Sequence, residues 1–302
     1  MTRALLIANP HAARTQEATV RGIEDIIRAA GWDLEVRATG GPGDARRMAA
    51  EAAADGFDVV AVFGGDGTTM QAAAALVGSD TALGLIPGGT GNLLAGNLRL
   101  PVNPLRAAQV MVRGVRRPLD LGRMPRPNGD HFFAVACGAG IDARIMGETE
   151  STEKHKWGIM AYFATTFRLL PEMRNVPFLI TVDGKEHEAE AALVMIANCS
   201  EVIPRMIKFG AGISPHDGML DLLVLRGSSV GETMRAFWDL VTERTGTFGE
   251  DVLVGYARGR EFSVRLADGS SQPVQMDGEP GGDTPFTVSV VPGAVQVLMA
   301  GE

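Results

Sequence analysis

Apolar positions in the first third of the chain alternate between two periods. Unbroken apolar runs at residues 5–8, 57–63 and 83–86, and the alternating stretch 32–39 with Leu34 and Val36 on one side, read as strands. Between them, residues 15–30 carry Val20, Ile23, Ile26 and Ile27 at helical spacing and stop at Gly31, a C-cap. Residues 42–55, closed by Gly56, and 69–77 read as two further helices; 93–98 and 104–113 add two more. This βαβαβαβ order predicts a parallel sheet covered by helices on both faces. Ligands of such sheets gather at the carboxyl ends of the strands. Residues 114–121 then lead the chain out of this region.

Past residue 123 the pattern changes to short alternating runs at 131–137, 178–182, 191–197, 219–225, 261–266, 286–291 and 295–299. Asp183-Gly184, Asp217-Gly218, Asp268-Gly269 and Pro292-Gly293 punctuate them as turns, and residues 124–130 read as a turn or linker. Helical stretches at 154–173 and 231–244 interrupt the strands. The predicted architecture is an α/β domain with a parallel sheet over residues 1–122, then a mainly antiparallel β-sandwich with helical inserts over 123–302.

Composition narrows the function classes. The 302 residues carry a net charge of −8, which argues against nucleic acid as a partner. Two cysteines, Cys137 and Cys199, are too few for a disulfide framework and read as small buried hydrophobes in a reducing compartment. No secretory signal or spanning segment is legible, so a soluble or membrane-peripheral protein is expected.

The sharpest chemical feature is Gly64-Gly65-Asp66-Gly67-Thr68, which follows one strand and opens a helix. Such a turn aims free backbone N–H groups at a phosphate, and its glycines let the main chain approach the anion. It lacks the Gly-Lys-Ser/Thr of the Walker loop, and the four lysines of the chain all follow residue 150. A second glycine turn, Pro87-Gly88-Gly89-Thr90-Gly91-Asn92, follows the next strand. Either Thr90 or Asn92 caps the short helix after it, or this turn faces the first across a phosphate chain. Asn9 and Thr39 lie at two further strand ends on the same edge of the sheet.

In order, the chain also holds Gly-Ala-Gly-Ile-Asp-Ala at 138–143, Asp-Gly-Met-Leu-Asp at 217–221 and Met-Asp-Gly-Glu at 276–279. Together with the two glycine turns this succession resembles the diacylglycerol kinase catalytic-domain family, which includes bacterial lipid kinases, sphingosine kinases and ceramide kinases. The resemblance spans nearly the whole chain, and its first motif is shared with NAD kinases and phosphofructokinases. It implies a kinase that uses ATP and Mg2+ to phosphorylate a lipid hydroxyl, of diacylglycerol, ceramide or a sphingoid base. It places nucleotide contacts on Asn9, Thr39, Gly64, Gly65, Asp66, Gly67, Thr68 and Thr90, with Gly89 and Asn92 in the second turn. It implies Glu279 as catalytic base and Asp120 as an acid in its network. It further implies a structural magnesium site of the Asp217 carboxylate with the carbonyls of Ser214 and Met219.

The residue types fit that chemistry. A lipid alcohol is a poor nucleophile, and a carboxylate in reach removes its proton as attack proceeds. Glu279 follows Asp277-Gly278 and precedes Pro280 on a tight turn. Asp66, set among glycines beside phosphates, either positions Mg–ATP or caps the helix after it. Asp217 is otherwise an ordinary hairpin residue, and Asp221 reads as facing the core. The inserts carry Lys154, Lys156, Trp157, Phe163 and Arg168, then Met234, Phe237 and Trp238: either a lipid-facing rim or faces packed on the sandwich. An exposed sheet edge would let two copies pair. Met70, Gln71, Ala12-Ala13 and Leu93-Leu94-Ala95-Gly96 depart from the usual family residues, which leaves the lipid class open. Two rival readings are an NAD-kinase-like nucleotide kinase and a non-catalytic nucleotide-dependent lipid-binding protein. A cytoplasmic protein peripheral to a membrane surface is expected.

Overall fold

The computed structural model describes residues 1–140, 175–203, 207–208, 212–227, 229, 231–232, 235, 238–239, 246–247 and 253–301. The predicted helical stretch 154–173, most of 231–244 and the end of the 138–143 motif lie outside the described residues. The chain divides into two compact units, Met1–Asp120 with Pro292–Glu302, and Leu121–Val291.

The first unit holds strands β1 (Arg3–Ala8), β2 (Asp33–Ala38), β3 (Val59–Gly64) and β4 (Ala82–Pro87). They lie in the order β2-β1-β3-β4 and every pairing is parallel. The helices are α1 (Glu17–Ala29), α2 (Asp44–Ala54), α3 (Asp66–Leu76), α4 (Leu93–Asn97) and α5 (Pro104–Arg113). Ile23 and Ile27 of α1 and Ala107, Ala108 and Met111 of α5 pack on Ala4, Leu6, Ala61, Phe63 and Ile86. The alternate residues Leu5, Ile7, Val60, Val62, Leu83 and Leu85 are buried as well. Burial of both faces explains why these strands read as continuous apolar runs.

In the second unit, β5 (Val115–Arg126) enters from the first unit and pairs with β6 (Gly129–Phe133). Then come β7 (Ala136–Gly140), β8 (Val176–Val182), β9 (Lys185–Ala191), β10 (Leu193–Ala197), β11 (Glu201–Ile203) and β12 (Ile207–Lys208). They are followed by β13 (Leu220–Leu225), β14 (Gly246–Thr247), β15 (Val254–Gly259), β16 (Glu261–Leu266), β17 (Pro273–Met276), β18 (Glu279–Asp283) and β19 (Phe286–Met299). One layer runs β19-β16-β8-β9 and the other β14-β15-β13-β10-β7-β17-β18, antiparallel apart from the short β14–β15 pair. Phe178, Ile180, Phe262, Val264, Phe286 and Val288 of the first layer share a core with Cys137, Val194, Ile196, Leu222, Val274 and Met276 of the second. Among the described residues, the fully buried phenylalanines Phe63, Phe133, Phe178 and Phe262 each contribute about 2–3 kcal/mol.

Three sequence expectations change. Residues 124–130 are not a linker: Met124 pairs with His131 and Arg126 with Gly129 in a β hairpin. The run 131–137 is broken into β6 and β7. Pro292-Gly293 is not a turn, because β19 runs through it while changing partners. Phe286 to Ser289 pair with β16, and Val297 pairs in parallel with Leu83. Cys137 and Cys199 are buried and form no disulfide, as expected.

Candidate active site

β3 ends at Gly64 and α3 begins at Asp66, so strand becomes helix across one extended residue, Gly65. The first N–H groups of an α-helix have no acceptor within it, and the dipole adds positive potential there. The amides of Gly67 and Thr68 belong to that first turn. Thr68 Oγ1 accepts a hydrogen bond from Asn9 Nδ2 at 2.9 Å. Asn9 is itself held by its backbone N–H on the Phe63 carbonyl at 2.9 Å and by the His11 amide on its Oδ1 at 3.0 Å. Thr39 is buried, and its amide donates to the Ala8 carbonyl at 2.9 Å. The structure therefore gathers Asn9, Thr39 and Gly64 to Thr68 at the carboxyl ends of three neighbouring strands.

The second turn packs directly on the first. The Gly88 amide donates to the Gly64 carbonyl at 2.8 Å. A Cβ on Gly89 would lie 2.7 Å from the Cα of Gly65, so neither a side chain nor a ligand fits there. The cavity bordered by both turns measures about 10 Å3, enough for one water at most. The two turns thus pack into one platform. Asn92, in the left-handed region at φ 50°, closes its own turn: Nδ2 donates to the Gly89 carbonyl at 2.7 Å and Oδ1 accepts the Gly89 amide at 2.9 Å. Thr90 stands exposed.

Asp66 fastens the platform to α4. Its Oδ1 accepts the Leu94 amide at 3.4 Å, and burial pushes its pKa up while the N–H groups of Leu94, Leu93 and Asn92 pull it down. Burial is the larger effect, so the carboxyl titrates above the ordinary carboxylate value. The N-cap of α3 is Gly65, and the Asp66 carboxylate holds the next helix.

Asp120, in β5, is 3% exposed, and its Oδ1 accepts the Gly293 amide at 2.7 Å. Glu279 opens β18, is exposed, and its carboxylate has no hydrogen-bond or ion-pair partner among the described residues. Its turn is tied down by Asp277, whose carboxylate accepts the amides of Ala134, Val135 and Ala136 at 2.7, 2.8 and 3.0 Å. Sequence reasoning treated Asp277 only as turn punctuation.

At the 217–221 segment, Asp217 Oδ1 accepts the Met219 amide at 3.1 Å and Oδ2 is paired with the Arg258 guanidinium. Fully buried Asp221 lies 3.6 Å from Arg258 Nε and accepts the Tyr256 hydroxyl, while its Oδ2 has no partner. Burial raises the Asp221 pKa. Two carboxylates facing one guanidinium, with one oxygen orphaned, suit an added cation in charge. Arg258, however, holds the Asp217 oxygen that the cation would need. Arg258 and Tyr256 escaped the sequence reading because they sit in a strand, β15, too glycine-rich to be recognised.

Comparison with known proteins gives the family of the chain. The model of the diacylglycerol kinase catalytic domain matches residues 3–124, and that of the YegS C-terminal NAD kinase beta sandwich-like domain matches 135–299. "Diacylglycerol kinase" of Bacillus subtilis (strain 168) is 30% identical over 94% of this chain and 92% of its own. "Probable lipid kinase YegS-like" of Xanthomonas axonopodis pv. citri (strain 306) is 30% identical over 95% and 94%. A crystal structure from Bacillus anthracis str. Sterne superposes with a TM-score of 0.81 at 28% identity, covering 98% of this chain and 95% of that one. Two family models that together cover nearly all of the chain, and relatives aligned along almost their whole length, make this chain a lipid kinase of the diacylglycerol kinase and YegS-like family.

Proposed function

We propose that the protein transfers the γ-phosphate of ATP to the hydroxyl of a membrane lipid. Diacylglycerol is the leading acceptor, because relatives spanning the whole chain are named for it. The observation that carries the reading is the amide-bearing platform of Gly64 to Thr68 and Gly88 to Asn92 at the first turn of α3. Phosphoryl transfer needs positioning and charge stabilisation more than covalent chemistry. The helix N-terminus and glycine amides serve that need, with Asn9, Thr39 and exposed Thr90 as further polar contacts for the nucleotide.

Glu279 acts as the general base. Its unpaired carboxylate takes the proton of the lipid hydroxyl as that oxygen bonds the γ-phosphorus. The bond from the γ-phosphorus to the oxygen bridging the β-phosphate breaks, and ADP leaves. Asp120 supports the base network. Mg2+ bound with ATP would neutralise phosphate charge, and Asp66 would help orient that complex. A second cation at the 217 turn would have the Asp217 carboxylate and the Ser214 and Met219 carbonyls as ligands, with Arg258 displaced. Work on a bilayer lipid places the protein at the cytoplasmic membrane surface, and the outer strand β18 offers an edge for a second copy.

The test is label transfer from γ-labelled ATP in mixed micelles of detergent with diacylglycerol, ceramide or sphingosine, and separately with NAD. Label in a lipid supports the proposal. Label in NAD alone, or nucleotide binding without transfer to any acceptor, overturns it.

A further inference from the structure

The connection between β17 and β18 places two consecutive residues in the left-handed region, Asp277 at φ 48° and Gly278 at φ 83°, with Met276 paired to Glu279. That is the two-residue type I′ hairpin, which tolerates few residue types and fixes the direction of the strand after it. Gly278 donates its amide to Gln275 Oε1 at 3.0 Å, and the Asp277 amide donates to the Ala136 carbonyl at 2.9 Å. The Asp277 carboxylate then takes three successive amides of residues 134–136.

The segment that receives it is itself immobilised. The Ala134 carbonyl accepts Asn198 Nδ2 at 2.8 Å and Cys199 Sγ at 3.1 Å. The Val135 carbonyl accepts the amides of Asn198 at 2.8 Å and Cys199 at 3.1 Å. Asn198 and Cys199 are both fully buried. The chain from buried core to hairpin tip is therefore continuous: Asn198 and Cys199 fix residues 134–136, these fix Asp277, and Asp277 fixes the turn from which Glu279 projects.

We propose that Asp277 is a positioning residue for Glu279, holding the base in line through its clamp on the 134–136 amides. The inference rests on the reading of Glu279 as base. Only an acceptor-only group satisfies three converging N–H donors. An amide at this position has one acceptor oxygen and two donor hydrogens, which would face an N–H. Misplacement of a catalytic group by about 1 Å costs on the order of a hundredfold in rate.

The test is a double-mutant cycle of Asp277→Asn and Glu279→Gln in the full chain, read as kcat and as KM for ATP with diacylglycerol in mixed micelles. Expected is an Asp277→Asn loss of about 10–100-fold in kcat with KM for ATP within about twofold, and little further loss when Glu279→Gln is already present. An equal loss in both backgrounds, or undiminished kcat, overturns the positioning role. Near-normal kcat in Glu279→Gln alone overturns instead the base on which the proposal stands. If Asp277→Asn does not melt cooperatively, Asp277→Glu, which stays acceptor-only while lengthening the clamp by one methylene, goes through the same cycle with the same criteria.

Discussion

Gly65 and Gly89 meet backbone to backbone: a Cβ on Gly89 would stand 2.7 Å from the Gly65 Cα. The glycine of the second turn is therefore required by the first turn, whatever it does for a phosphate. Gly89→Ala forces the turns apart and should cost about 1–3 kcal/mol. If the platform binds the nucleotide, it should also weaken ATP binding at least tenfold, because the amides of the two turns shift relative to one another. Calorimetric titration with ATP beside a melting curve checks both; unaltered affinity would separate this contact from nucleotide binding.

Asp66 holds α4, and substitution separates that duty from the proposed one toward Mg–ATP. Removing its oxygens strands the Leu94 amide, so Asp66→Ala should lower stability by about 1–3 kcal/mol. Asp66→Asn keeps an acceptor for that amide and should melt near the parent. If its charge orients Mg–ATP, the same variant raises KM for Mg–ATP tenfold or more. An Asp66→Asn protein with parental kinetics would confine Asp66 to holding α4.

How much of this was legible in the sequence follows from burial. β1, β3 and β4 are buried on both faces, so their apolar runs announced them, and α1 showed a clean 3.6-residue period, which the alanine-rich α3 lacks. β9 reads Lys-Glu-His-Glu-Ala-Glu-Ala and lies at the outer end of its layer, where charge keeps an edge strand from pairing; that same charge hid it. β17 and β18 hold prolines and glycines, and β5 holds Pro118 and Pro125, so punctuation masked strands that tertiary pairing maintains. The site was legible as motifs. The contacts that organise it, Asp66 to Leu94 and Asp277 to residues 134–136, join segments 28 and about 140 residues apart and have no local signature.

If a divalent cation binds the proposed site at the 217 turn, it must compete with Arg258 for Asp217. Arg258→Leu should lower the melting temperature without magnesium, because two acids are left facing each other. Millimolar Mg2+ should then raise it by more than in the parent, as ligand linkage requires. Equal magnesium shifts in both proteins would remove the 217 turn from the list of cation sites.

Tyr256 donates to buried Asp221, and burial first, then that bond and the Asp221 charge, push its phenol up to about 12 from a reference of 10.0. A folded-state pKa above the unfolded one gives stability that is whole below pH 10 and lost as pH rises toward 12. Alkaline difference spectra of a Tyr162→Phe variant isolate this phenol. The expected midpoint lies near 12 and falls in Asp221→Asn; a midpoint at the reference value in both would contradict the pairing.

The proposed lipid phosphorylation depends on the Glu279 carboxylate. Its most direct test is the initial rate of phosphate transfer from ATP to diacylglycerol in magnesium-containing micelles, for the parent and for Glu279→Gln at matched ATP occupancy. Expected are phosphatidic acid from the parent and a rate lower by about 10²–10⁴-fold in the variant, with ATP still bound. Equal rates in the two proteins, or no phosphorylated lipid from the parent, would contradict it.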